Sequence, residues 1–138
     1  MIENPLLFEW LSEYEVGHPD IDHQHRKLAK LYNRFILSFK KPIDVHEVRN
    51  AFAAIVIYTE VHFTMEENLM RGLNYPDIDR HILSHKSFTA DIHSMLEKFE
   101  NDEIDLHQLL YETLLWSPKV IDDSEDRLLG IYLKTMHL

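Results

Sequence analysis

The 138-residue chain contains no cysteine, which excludes disulfide staples and thiolate ligation and leaves histidine and carboxylate as the only strong metal ligands. Glycine (3) and proline (5) are scarce, a composition that favours long helices over a turn-rich β fold. Basic residues are outnumbered, with 14 Lys and Arg against 24 Asp and Glu for a formal net charge of −10. Nucleic acid and anionic membranes both call for basic patches, and none is visible, so neither partner is expected. The apolar runs are far too short to span a bilayer. The N-terminus has neither a basic region nor an apolar stretch of the secretory type, so a cytoplasmic location is expected.

What is present is an ordinary globular balance, 45% hydrophobic and 28% charged residues, in a chain long enough to bury a core as one domain spanning residues 1–138. The anomaly is histidine, of which there are 10. Two pairs stand out: His62-x-x-x-Glu66 and His81-x-x-x-His85. Residues four apart share a helical face, so each pair projects two metal-competent side chains in one direction. Three imidazoles and a carboxylate from neighbouring helices suit a borderline metal such as iron, zinc or manganese.

In chain order, residues 1–18 read as an extended lead-in broken by Pro5 and Gly17 and anchored by Phe8, Trp10 and Leu11. A first helix is expected from Pro19 or Asp20 to about Lys40, with Ile21, Leu28, Tyr32, Phe35 and Phe39 as its apolar stripe and His25 inside that stripe. Asp44 and Glu47 resemble a capping box for a second helix running to Arg71, with Gly72 as its closing residue. Its inward stripe, Val48, Phe52, Ile55, Thr59, His62, Glu66 and Leu69, turns polar at two adjacent turns. Asp77 is placed to cap a third helix whose seam is Ile78, His81, His85, Phe88, Ile92, Met95 and Phe99. The short turn between the second and third helices makes them an antiparallel hairpin, with the four polar seam residues at similar height and His25 at the same end. A fourth helix is expected from Asp105 to about Met136, kinked or interrupted by Pro118, with Leu109, Leu110, Thr113, Trp116, Val120, Leu128 and Ile131 inward. The expected architecture is an all-α, antiparallel up-down four-helix bundle.

Several segments together are similar to the bacterial hemerythrins: Val16-Gly17 … Ile21-Asp22-x-Gln24-His25-x-x-Leu28, Tyr58-x-x-x-His62-Phe63-x-x-Glu66-Glu67-x-Leu69-Met70, and Tyr75-Pro76 … His81-x-x-x-His85-x-x-Phe88, with Trp10 in the lead-in. The resemblance covers nearly the whole chain. It implies a four-helix bundle holding two non-heme irons with an oxo or hydroxo bridge and two bridging carboxylates, one iron with three histidines and the other with two, and dioxygen as the ligand of the open position. Carried over by position, His25 and His62 would hold the open iron, His81 and His85 the other, and Glu66 would bridge.

The fourth helix departs from this pattern. The family's Trp-Leu-x-x-His-Ile-x-x-x-Asp reads here as Trp116-Ser117-Pro118-Lys119-Val120-Ile121-Asp122-Asp123-Ser124-Glu125. Val120 stands where the resemblance implies the fifth histidine and cannot bind metal. Glu125 stands at the second bridging carboxylate and is the expected metal ligand there, although a kink at Pro118 would give Asp122 or Asp123 an alternative route inward. Ser117 replaces an apolar residue of the ligand pocket, which Leu28, Phe63 and Trp116 would otherwise wall. Glu67 points about 100° away from Glu66 and reads as a solvated or supporting carboxylate. Tyr58 is either core or a hydrogen-bond donor near the site, and His93 reads as a core residue or a support for the ligands.

The resemblance favours binding or sensing of dioxygen, or of a related gas, over turnover. A sensing role would need a signalling or redox partner protein. The vacancy left by Val120 opens two alternatives: an oxidase or peroxidase acting on dioxygen or peroxide, and an iron-handling domain with a partly filled site.

Overall fold

A computed structural model of the chain describes residues 7–121 and 124–136, with the side chains of 117–121 and 124 left aside. The described residues contain no strand. A 3-10 turn, Ser12–Tyr14, precedes five helices: α1 Pro19–Leu37, α2 Val45–Gly72, α3 Ile78–Glu100, α4 Leu106–Ile121 and α5 Ser124–Thr135. α1 packs on α2, α2 on α3, α3 on α4, and α4 returns to α1, the closed neighbour order of an up-down bundle.

Local chemistry sets the helix ends. His18 accepts the Ile21 N–H through its ring and Pro19 opens α1. Asp44 accepts the N–H groups of His46 and Glu47, as the capping pattern predicts. α2 does not close on Gly72, which is its last helical residue. Asn74 takes the left-handed conformation at φ 52, while Tyr75 N–H bonds to the Met70 carbonyl and Asn74 N–H to that of Arg71. This is a Schellman closure with asparagine in glycine's usual place.

The largest departure is in the last limb. α4 runs through Pro118 to Ile121, and α5 is described from Ser124 on. Leu128 and Ile131, expected inward, are 42% and 60% exposed, whereas Leu129 and Leu133 are buried. The inward stripe of α5 is therefore Asp126, Leu129 and Leu133, spaced three and four apart.

The core is layered along the bundle. One end is aliphatic and aromatic, built from Phe35, Val48, Phe52, Ile55, Ile92, Phe99 and Leu109. The other end contains Val16, Ile21, Met70, Tyr75, Leu129 and Leu133. Between them lie the buried histidines, next to a layer in which Phe8, Trp10, Tyr58, Phe88 and Trp116 surround Leu28 and Ala29.

The lead-in ties α5 down. Asp22, 5% exposed, accepts the N–H groups of Val16 at 2.7 Å and Gly17 at 3.1 Å, and Gly17 takes φ 94 to present them. The Val16 carbonyl then presses on α5 at Gly130, where an added Cβ would lie 2.5 Å from its oxygen. Arg127 donates to the Glu13 carbonyl at 2.6 Å. The motif around Val16, Gly17 and Asp22 thus seats the helix that carries Asp126.

Candidate metal centre

Six side chains converge in the middle layer, each no more than 2% exposed: His25 from α1, His62 and Glu66 from α2, His81 and His85 from α3, and Asp126 from α5. They form two groups of four that share both carboxylates. One is His25, His62, Glu66 and Asp126; the other is Glu66, His81, His85 and Asp126; within each, the donor atoms lie within 4.8 Å of one another.

Each carboxylate spans the two halves. Glu66 Oε2 stands 3.3 Å from His62 Nε2, and its Oε1 stands 3.2 Å from His81 Nε2 and 3.0 Å from His85 Nε2. Asp126 Oδ2 lies 2.9 Å from His25 Nε2 and 3.9 Å from His62 Nε2, while its Oδ1 lies 2.9 Å from His81 Nε2. The Nε2 atoms of His25 and His62 face each other at 3.0 Å.

The far nitrogens fix two of the tautomers. His62 Nδ1 donates to Gln24 Oε1 at 2.7 Å, and His85 Nδ1 donates to Glu67 Oε2 at 3.0 Å. In these neutral tautomers the Nε2 lone pairs of His62 and His85 point at Glu66 oxygens, and that of His62 also at His25 Nε2. Glu66 Oε2 and Asp126 Oδ1 come close to imidazoles without hydrogen-bond alignment. Acceptors directed at acceptors in a buried site are stabilised only by protons or by a cation, so the donor set fits a metal.

The titration behaviour agrees. Burial opposes charge on His62, but the nearby carboxylates of Glu66 and Asp126 override it and raise the pKa to about 9. At His81 burial is again outweighed, by the adjacent carboxylates of Asp126 and Glu66, and the pKa rises to about 10. Burial and the like charge of Asp126 oppose ionisation of Glu66, yet His62 and His81 hold it below the ordinary carboxylate range. Asp126 is likewise held well down by His25, His62 and His81 despite its burial. Without metal, protons occupy the places a cation would take.

Five of the six ligands read from the sequence, His25, His62, Glu66, His81 and His85, meet here. Glu125 does not join them. Its carboxylate pairs with Arg80 Nε at 3.1 Å near the surface, and Asp126, the next residue, takes the inward place. The spacing of Asp126 to Leu129 and Leu133, three and seven residues on, is the signal in the sequence that places it inside. Asp122 and Asp123 lie outside the described residues, as do the side chains of Ser117 and Val120.

The apolar surroundings sit close to the site. Phe63 stacks on His85 with ring centroids 3.8 Å apart and a 10° interplanar angle. Phe88 meets Phe63 edge-on at 5.9 Å and Trp116 at 5.1 Å. Leu28 is buried with Tyr58 and Trp116 around it. His93 is not a core residue; half its side chain is exposed and it pairs with Glu60.

Fold and site together define a helical-bundle protein with a buried histidine-carboxylate cluster suited to cations. The Hemerythrin HHE cation binding domain matches residues 16–130, and the chain belongs to that family. It is 32% identical over 108 residues to a bacteriohemerythrin of Clostridium acetobutylicum, covering 76% of this chain and 81% of that protein. A bacteriohemerythrin of Campylobacter jejuni is 24% identical over the same coverage. The myohemerythrin of Theromyzon tessulatum is 27% identical over 92 residues, 67% of this chain and 71% of its own length. No helix among the described residues is long and apolar enough to cross a membrane.

Proposed function

We propose that this protein is a non-heme di-iron domain that binds dioxygen or a related small gas. His25 and His62 hold one iron, His81 and His85 the other, and Glu66 and Asp126 are shared between them. Family membership supports iron and the gaseous ligand; the two overlapping donor groups support two ions. Two imidazoles and carboxylate oxygens at each position match the donor type of non-heme iron sites that keep positions open to an exogenous ligand. When bound, the irons supply reversible one-electron redox chemistry to that ligand.

The chain's own residues do the remaining work. Gln24 and Glu67 orient His62 and His85 through their far nitrogens. Phe63, stacked on His85, and the Leu28–Trp116 layer keep bulk water away from the cluster.

One observation favours a second reading. The two donor groups are alike, with two histidines each, where the family resemblance implies three and two. Both positions are then equally short of protein ligands, which suits turnover of dioxygen or peroxide as well as binding. Anaerobic reconstitution with iron(II), followed by visible spectroscopy on adding and removing oxygen, separates the readings. Two irons per chain and a reversible spectral change support gas binding. Many peroxide turnovers per chain without such a change support the second reading, and uptake of less than two irons overturns both.

A further inference from the structure

The two halves of the cluster match in their direct donors and differ just outside them. His62 Nδ1 is held by the neutral amide of Gln24, whereas His85 Nδ1 is held by the carboxylate of Glu67. Gln24 sits beside His25 in sequence and reaches across to α2; Glu67 sits beside Glu66 and reaches across to α3. The two residues are counterparts with different charge. His25 Nδ1 and His81 Nδ1 have no hydrogen-bond partner among the described residues, so Gln24 and Glu67 make the recorded contrast between the halves.

Resting on the two-ion reading above, we propose that Glu67 is a positioning residue that makes the two metal positions unequal, so that the His81 and His85 position takes the first divalent cation and holds it more tightly. A carboxylate accepting the Nδ1 proton of a ligating imidazole draws that proton away and enriches the Nε2 lone pair, and an amide does so much less. Glu67 is built for this. Its Oε2 faces inward to a ring that is 2% exposed, whereas a merely solvated acid would point outward. Its other oxygen lies 3.5 Å from the Arg71 guanidinium, and Phe63 fixes the plane of the His85 ring from the side. Its side chain is 21% exposed and borders a groove of about 480 Å³ between α2 and α3 that also reaches Glu60, Thr64 and His93.

The test is a cobalt(II) titration of the metal-free protein, followed by visible absorption and calorimetry, on wild type, Glu67→Gln and Gln24→Glu. Glutamine keeps the hydrogen bond to His85 and removes only the charge, and thermal melting checks that each variant folds. Wild type is expected to fill in two steps, with His81→Ala abolishing the tighter one. Glu67→Gln is expected to weaken that step by about 10- to 100-fold and bring the two together, while Gln24→Glu tightens the weaker step. If the ratio of the two affinities in Glu67→Gln stays within about threefold of wild type, against that expected range, or if His25→Ala rather than His81→Ala removes the tighter step, the proposal is overturned and the two-ion reading stands. Uptake of only one cobalt by wild type overturns both.

Discussion

Replacing Asp126 with asparagine preserves the shape of the side chain and removes the charge that three buried imidazoles face. In the metal-free protein His25 and His81 each approach that carboxylate at 2.9 Å and His62 at 3.9 Å. Breaking a buried ion pair by removing one partner costs about 3–5 kcal/mol, a large part of the roughly 5–15 kcal/mol that holds a domain of this size. With unfolding entropy near 2.1 cal/mol/K per residue, 138 residues convert 1 kcal/mol into about 3.5 °C, so the expected fall in Tm is about 10–17 °C. Glu125→Gln is the internal control. That carboxylate is 19% exposed and pairs with Arg80, whose side chain is 56% exposed, and such pairs contribute about 1 kcal/mol or less. Its expected shift is therefore within about 4 °C. The assay is circular-dichroism melting of both metal-free variants at pH 6, below the raised pKa values of His62 and His81. If Glu125→Gln costs as much as Asp126→Asn, the assignment of the inward carboxylate is wrong.

Other outcomes follow from the same geometry. The pKa values of His62 and His81 are raised from 6.5 to about 9 and about 10, so their contribution is complete below pH 6.5 and disappears as pH rises through 9 to 10. Glu66 and Asp126 are lowered, so theirs is present above the ordinary carboxylate range and disappears in acid. Metal-free protein should be most stable between about pH 4.5 and 6.5, losing up to about 1.4 kcal/mol per pH unit per group beyond it; a Tm flat from pH 6 to 10 would contradict this. Gly130→Ala places a Cβ 2.5 Å from the Val16 carbonyl oxygen, and overpacking of this kind costs about 1–3 kcal/mol. Because α5 must shift, metal affinity should fall as well, and an unchanged calorimetric titration would count against the role of the lead-in. Thr59 is fully buried with no partner for its hydroxyl among the described residues; Thr59→Val should raise Tm by a few degrees, relieving an unpaired group worth about 1 kcal/mol, and a fall in Tm would show that the hydroxyl is bonded.

Where periodicity alone decides, in α1 to α3, the sequence was sufficient. His25, His62, Glu66, His81 and His85 each sit on an apolar stripe, and a stripe interrupted by metal-competent residues at adjacent turns leaves them facing the same interior. In the last limb the position of Glu125 came from resemblance to a motif and not from periodicity, and the two disagree. Pro118 does not end α4, whose backbone stays helical through Ile121. The inward carboxylate is Asp126, 2% exposed, and its neighbour Glu125 pairs with Arg80 instead. Leu129 and Leu133 carried the correct phase, legible only when α5 is read as a helix in its own right. Gln24 and Glu67 were visible as residues but not in their roles, since contacts across helices depend on packing that no single-helix pattern contains.

The claim on which the rest depends is that two cations share Glu66 and Asp126 at the centre of the bundle. Anomalous diffraction at the iron edge, from crystals of the iron-loaded protein, tests it most directly. The account expects two peaks, one beside His25 and His62 and one beside His81 and His85, both in contact with Glu66 and Asp126, and Glu125 still on Arg80. A single peak, or density joining the metal to Glu125 in place of Asp126, would contradict it.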